Sequence, residues 1–364
     1  MINAEYALGR QITRRHLLEF AAVATGALTL RNTPPIMDLP FFSQKKIRPQ
    51  ILGTTFSQLQ CSEGYLNLDY QDTFKQICDL GIDIVRLPTY WNEIESAVGF
   101  TKTDWLMEEA ARRKLSVILT VGAKAPRYPE LHLPPAVEQN LQTTNSTGQQ
   151  IGSDSQTAKK ILEHTLKVVR RYKDFPNLKY WQIENEPLDQ LDFADNHSIA
   201  ETLFTKEIDL VRANKTTAQK ILLSNAFNIP SAKNSFSKSI QLRPDGSGFN
   251  IYSKVPRKGG GYNELTRGNY RDLGGLAEIL KQAEIDPWIF ETQAEPWENG
   301  KHVHFGNESY PSSSPQQTLR LVSELTSRGY DKQLLWGCEF WIKQKQLGFP
   351  QWVDAMRTLY SQSA

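Results

Sequence analysis

Two glutamates stand where short apolar runs stop. Trp181-Gln182-Ile183-Glu184-Asn185-Glu186-Pro187 closes one run, and Pro287-Trp288-Ile289-Phe290-Glu291 closes another about a hundred residues further on. An acid placed there must meet water in a cleft or be given a partner, because a lone charge is costly to bury. Two acids facing one cavity have the chemistry to cleave a glycosidic bond. One, protonated, gives its proton to the leaving oxygen; the other, ionised, meets the positive charge growing at the anomeric carbon. Unequal burial and mutual repulsion separate their pKa values so that both forms coexist near neutral pH. Glu186 is expected as the proton donor and Glu291 as the attacking carboxylate. Arg86, in Val85-Arg86-Leu87-Pro88-Thr89-Tyr90-Trp91, is the cation expected beside Glu291, and the Tyr252 hydroxyl is a second donor to it. Asn185 is expected to hold the ring hydroxyl next to the reacting carbon. Glu184 rivals Glu186 from two residues away, and Glu295 and Glu298 follow Glu291 in the chain.

These acids need a scaffold that brings distant segments to one place. From about residue 50 apolar runs alternate with stretches of 3–4 spacing, the pattern of a parallel sheet with helical crossovers. Eight strands are expected, at 51–56, 82–87, 116–121, 179–183, 220–223, 249–252, 288–291 and 334–340. Most are apolar throughout, as strands covered on both faces are. Between them Tyr70, Phe74 and Ile77, then Leu162, Leu166 and Val169, then Phe204, Ile208 and Val211 mark helix faces. Gly81 and Gly329 sit where helices should stop, and Thr103-Asp104 is placed to cap the second helix. The helices after strands two and five are poorly marked. Eight such units in one domain predict a (β/α)8 TIM barrel over residues 47–364, an α/β fold whose reacting groups lie at the carboxyl ends of the strands. An open doubly wound sheet is the alternative, weakened by the lack of a glycine-rich phosphate loop after the first strand. The polar stretch Gln139–Thr157 and the glycine-containing Lys254–Asn269 are expected as long loops at the barrel mouth.

The strings around Glu186 and Glu291 resemble the clan A glycoside hydrolases, especially the cellulase-like members around glycoside hydrolase family 5. In that clan Asn-Glu-Pro ends strand four with the acid/base, a Glu ends strand seven as nucleophile, and anomeric configuration is retained. The resemblance covers most of residues 50–360, with Arg86, Tyr252 and Trp341 falling where the clan has its Arg, Tyr and platform Trp. It implies a retaining hydrolase of β-linked oligo- or polysaccharide that needs no cofactor and no metal. Lys124, Trp91 and Trp297, near strand ends, are further candidates for substrate contact. The sequence lacks the histidines the clan often carries on strands three and six, so substrate identity does not carry over. A transglycosylase shares the same intermediate, and a barrel that binds saccharide without cutting it is a second alternative. A metal-using barrel is the third reading; the alternating His302 and His304 bring no acidic ligand pattern with them.

With 42 Lys+Arg against 40 Asp+Glu, the net charge of +2 supplies no electrostatic ground for a nucleic acid or an anionic membrane as partner. A neutral ligand fits better, and a carbohydrate substrate and a monomeric protein are expected. Three cysteines, Cys61, Cys78 and Cys338, are too few and too scattered for a disulfide framework. Residues 1–46 stand apart. Thr13-Arg14-Arg15-His16-Leu17-Leu18 resembles a twin-arginine export signal, followed by an apolar run from Phe20 to Leu30 too short to span a bilayer comfortably. Export to the periplasm or the exterior is expected, with a linker up to about residue 46. An uncleaved N-terminal membrane anchor or an amphipathic helix are the alternatives.

Overall fold

The eight apolar runs pair with one another in parallel, each with its sequence neighbours, and close into a ring. They are β1 (Ile51–Thr55), β2 (Ile84–Pro88), β3 (Ser116–Val121), β4 (Leu178–Ile183), β5 (Lys220–Asn225), β6 (Gly246–Ile251), β7 (Asp286–Gln293) and β8 (Lys332–Trp336). The ring is sealed by β1 against β8, with Ile51 opposite Lys332 and Thr54 opposite Leu335. This is a (β/α)8 TIM barrel in one domain. The computed structural model describes residues 48–362 apart from 145–149, 192, 193, 195, 228–231, 258 and 299–303. The expected export signal and His302 lie outside the described residues.

Among the described residues ten longer helices accompany the strands: α1 (Tyr70–Cys78), α2 (Thr101–Arg112), α3 (Pro135–Thr144), α4 (Gln156–Tyr172), α5 (Glu201–Asn214), α6 (Ala232–Gln241), α7 (Arg267–Gln282), α8 (Pro315–Ser327), α9 (Cys338–Gln346) and α10 (Gln351–Tyr360). Their apolar faces meet the outward side chains of the strands in the main core, where Phe74, Ile161, Phe204 and Val322 are buried. Gly81 and Gly329 end helices with φ of 87° and 96°, a region that favours glycine. α2 starts two residues earlier than its expected cap, at Thr101, and Asp104 instead pairs with Arg171.

Strand period 2 decides what fills the barrel. One layer is apolar: Ile84, Ile118, Leu222, Trp288, Phe290 and Leu334, with Tyr180 against it. Two residues further along, the same inward face presents Arg86, Gln182, Ser224 and Trp336. Arg86 Nη1 donates to Gln182 Oε1 at 3.2 Å, and Gln182 Nε2 to Ser224 Oγ at 3.2 Å. The floor of the mouth is therefore a polar layer resting on an apolar plug.

Three segments differ from expectation. The eighth strand ends at Trp336 rather than 340, because Gly337 takes φ 116° and starts α9 at Cys338. Gln139–Thr157 is not a single long loop: its first residues complete α3, Gln150–Ile151 pairs with Ser198–Ile199, and Ser155 caps α4. Lys254–Asn269 contains an antiparallel hairpin, 254–256 with 262–264, and a capping box of Thr266 and Asn269 that opens α7.

Candidate active site

β4 continues its ladder one residue past its end, where Glu184 N donates to Val121 O at 2.7 Å, and then turns sharply. Glu184 and Glu186 both have positive φ, 57° and 45°. For a residue with a Cβ that conformation costs of order 1 kcal/mol and persists only where the surroundings enforce it. They do so here. Asn185 N donates to Lys124 O at 2.9 Å, Glu186 N to Ser224 Oγ at 3.2 Å, and the Glu184 carboxylate accepts from Ala123 N and Lys124 N. Gly122 makes this possible, since a Cβ at its φ of 120° would overlap the Glu184 carboxyl. Glu184 is thus a backbone clamp, which removes it as a rival to Glu186.

The turn aims Glu186 at β6, where Asn250 Nδ2 donates to its Oε1 at 2.9 Å. Asn250 is also the ladder neighbour of Glu291 on β7. Between Ile289 and Glu291 the β7 register slips. A bulge inserts a residue and re-aims the side chains that follow it; here it lets Phe290 join the plug while Glu291 still turns to the barrel axis. Glu291 Oε1 lies 2.8 Å from Arg86 Nη2, and Tyr252 Oη donates to Oε2 at 2.7 Å. Arg86 is fixed in turn by Thr55 Oγ1, 2.7 Å from Nε.

The two acids differ in their surroundings. Glu291 has a buried guanidinium. Glu186 has burial first, then the charges of Glu130, Glu291 and Asp189, all of which push its pKa well above the usual carboxylate range, with Lys124 opposing them. Asn250, which donates to Glu186 and is paired with Glu291 in the ladder, places both acids at the same end of the barrel. Both retain slight solvent exposure, 6% for Glu186 and 4% for Glu291.

Other sequence candidates fall differently. Trp341 is fully buried in α9, its Nε1 donating to Ala294 O at 2.6 Å, so it offers no face to a sugar; this corrects its expected platform role. Trp336, which ends β8, faces the mouth instead, with Arg127 4.0 Å and Arg86 5.9 Å from its ring. Trp91 is buried and stacks on His164, ring centres 4.8 Å apart, in the outer core rather than at the mouth. Lys124 is fully buried and spends its ammonium on Glu186 O at 2.7 Å and Asp189 O at 3.2 Å, bracing the turn rather than facing a substrate. Asn185 is fully buried, with Nδ2 donating to Glu130 Oε1 at 3.2 Å and Oδ1 accepting from Gln182 at 3.3 Å, so its amide is turned to the turn's own surroundings and not to a ring hydroxyl. Trp297 is half-buried and meets Tyr252 edge-on at 4.9 Å, beside the acids. Glu295 and Glu298 are engaged elsewhere, with Arg127 and with Ser312.

Sequence reasoning missed Arg127, Glu130, Asn250 and Trp336. Asn250 and Trp336 were legible as strand-end side chains of inward register. Arg127 and Glu130 sit in the β3 loop, which folds back on itself through the Lys124–Leu131 bridge and carries both into the mouth. Arg127 locks that loop down by ion pairs to Glu295 at 2.7 Å and Glu339 at 2.6 Å. Among the described residues no cluster of His, Cys, Asp and Glu is arranged to hold a metal ion, and no helix is long and apolar enough to cross a membrane. A cavity of about 240 Å³ lined by Gln150, Leu188, Glu201 and Lys238 contains none of these acids.

No family model matches the sequence, and no curated protein does. Solved structures do. The fold is that of GH5_18 from Streptomyces cattleya, solved in complex with GlcNAc: TM-score 0.58, 11% identity, 87% of this chain and 82% of that one. Thermotoga maritima Cel5A in complex with cellobiose aligns at TM-score 0.54 and 14% identity, over 87% of this chain and all of that one. The β-galactosidase of the psychrophilic Marinomonas ef1 aligns at TM-score 0.56 and 13% identity over 85% of this chain, which spans 59% of that longer protein. At these identities the likeness is one of fold.

Proposed function

We propose that the protein is a retaining glycoside hydrolase acting on β-linked oligo- or polysaccharide, with Glu186 as acid/base and Glu291 as nucleophile. The observation that carries this reading is the asymmetry of the two acids in one cavity. Glu291 meets Arg86 and the Tyr252 hydroxyl, contacts suited to a carboxylate, while burial and three neighbouring negative charges favour a proton on Glu186. Glu186 would protonate the leaving oxygen as Glu291 attacks the anomeric carbon to form a glycosyl ester. Glu186, now ionised, would take a proton from water as that water attacks the same carbon and releases Glu291. Net configuration is kept, and the two carboxyls of such an enzyme stand about 5–5.5 Å apart. The solved structures of the same fold with GlcNAc and cellobiose bound support a saccharide as the ligand class. Trp297, half-buried beside Tyr252, offers it an aromatic face at the mouth. We further propose that the Arg14-Arg15 segment directs export.

Paired variants test the assignment. With an aryl β-glycoside that the wild type turns over, E291G supplied with azide should yield the α-glycosyl azide, since azide enters from the face the nucleophile vacates. E186A should yield the β-azide, formed on the glycosyl-enzyme. The opposite anomers would exchange the two roles. No turnover across a panel of β-glucans, mannans, xylans and aryl glycosides, together with saccharide-dependent thermal stabilisation, would favour a binding protein.

A further inference from the structure

A third carboxylate, Glu130, enters the mouth on the loop after β3. Its Oε1 accepts from Asn185 Nδ2 at 3.2 Å, and its Oε2 is buried with no hydrogen-bond partner among the described residues. Its backbone is held by Ala125 N, which donates to Glu130 O at 2.8 Å, and the loop is pinned by the Arg127 ion pairs. Nothing in the two-acid mechanism uses this group. Yet Asn185 is the middle residue of the strained turn, between two residues of positive φ, and its side chain has one donor contact outside that turn's own strands: Glu130.

We propose that Glu130 is a positioning residue for the proton donor: through the Asn185 amide it fixes the turn that carries Glu186, and its charge holds the proton on Glu186. The inference rests on Glu186 being the acid/base. The charged groups facing Glu186 are Glu130 and Lys124 from the β3 side, Glu291 from β7 and Asp189 from its own loop, while β6 contributes only the neutral Asn250. Those facing Glu130 are Lys124, Glu291, Arg86 and Glu186. Burial pushes Glu130 itself up to about 7, Lys124 opposing and Glu291 adding to the shift. Glu130 therefore gains its charge as pH rises through neutrality, and that charge resists ionisation of Glu186 where the proton would otherwise be lost.

Glu130→Gln keeps an oxygen acceptor for Asn185 and removes the charge, so the alkaline limb of kcat/KM should move to lower pH by about one unit, the scale of a neighbouring like charge. Glu130→Asp keeps the charge but withdraws it from Asn185; kcat should fall while the limb stays near its wild-type position. A merely structural glutamate predicts no movement of the limb in Glu130→Gln. The Glu186 carboxyl, followed by carbon-13 NMR in protein labelled on glutamate side chains, reports the same shift without turnover. If the wild type hydrolyses no glycoside, the proposed function fails while this titration still judges Glu130. A Glu186 titration unchanged in Glu130→Gln, and in Glu130→Met should the first variant misfold, overturns the inference.

Discussion

Glu186 and Glu291 are held by opposite means. Glu291 is gripped by its carboxylate oxygens, one on Arg86 and one on Tyr252, whereas Glu186 is aimed by a backbone turn and touched at one oxygen by Asn250. A group that must give and retake a proton needs one oxygen free, and a group that must attack needs fixed direction. The Tyr252 contact is accordingly worth testing alone. A hydrogen bond to a charged group contributes about 1.5–3 kcal/mol, so Y252F should lower kcat roughly ten- to a hundredfold on an aryl β-glycoside, with the fold intact because Arg86 still pairs with Glu291. An unchanged kcat would remove Tyr252 from the reaction. At this scale the sequence disclosed the acids, Arg86 and Tyr252, since each ends or follows an apolar run in inward register. It did not disclose Arg127 or Glu130, because their loop has no periodicity; what folds it inward is pairing with Glu295 and Glu339, more than 150 positions further along the chain.

The elements show why one strand end misled. The run from Leu334 to Phe340 reads as a single strand, but a Cβ at Gly337 would collide with the Glu295 side chain, and its φ of 116° turns the chain out of the sheet. Trp336 keeps the inward register of Leu334, and Trp341 moves to a helix in the outer core. A glycine inside an apolar run was the available signal. β4 carries a second element-level device. Behind its clamp, Glu184 shares a hydrogen bond with Glu207 of α5, both fully buried. Burial raises Glu184 to about 7, and burial with the charge of Glu184 raises Glu207 well above its ordinary value. Acids whose pKa is raised in the folded state stabilise it fully below their unfolded pKa near 4.5, and that stabilisation is lost as pH rises through the folded value. Between about pH 4.5 and 7 this pair should therefore lower the melting temperature as pH increases. E207Q retains a donor for the Glu184 carboxylate and removes one ionisation, so thermal melts across that window should show a flatter pH slope than the wild type. An equal or steeper slope would mean that the pair does not share a buried proton.

At the scale of the whole molecule, barrel closure does what no local motif can. Glu186 and Glu291 are about a hundred residues apart in sequence, Arg86 another hundred before them, and ring pairing of β1 with β8 fixes all three around one mouth. Near-balanced total charge coexists with a local surplus of carboxylates at that mouth, where Glu130, Glu186, Glu291 and Asp189 stand against Arg86 and Lys124, while Arg127 is spent on Glu295 and Glu339. The alternation of apolar runs made this architecture readable, because parallel strands buried on both faces leave an unmistakable pattern. The most direct test is to trap the covalent ester. Incubation of the wild type with a panel of activated 2-deoxy-2-fluoro-β-glycosides, followed by proteolysis and mass spectrometry, should find the sugar on Glu291 alone. A label on Glu186 or Glu130, or turnover of the corresponding natural-sugar substrate with inverted configuration, would contradict the account.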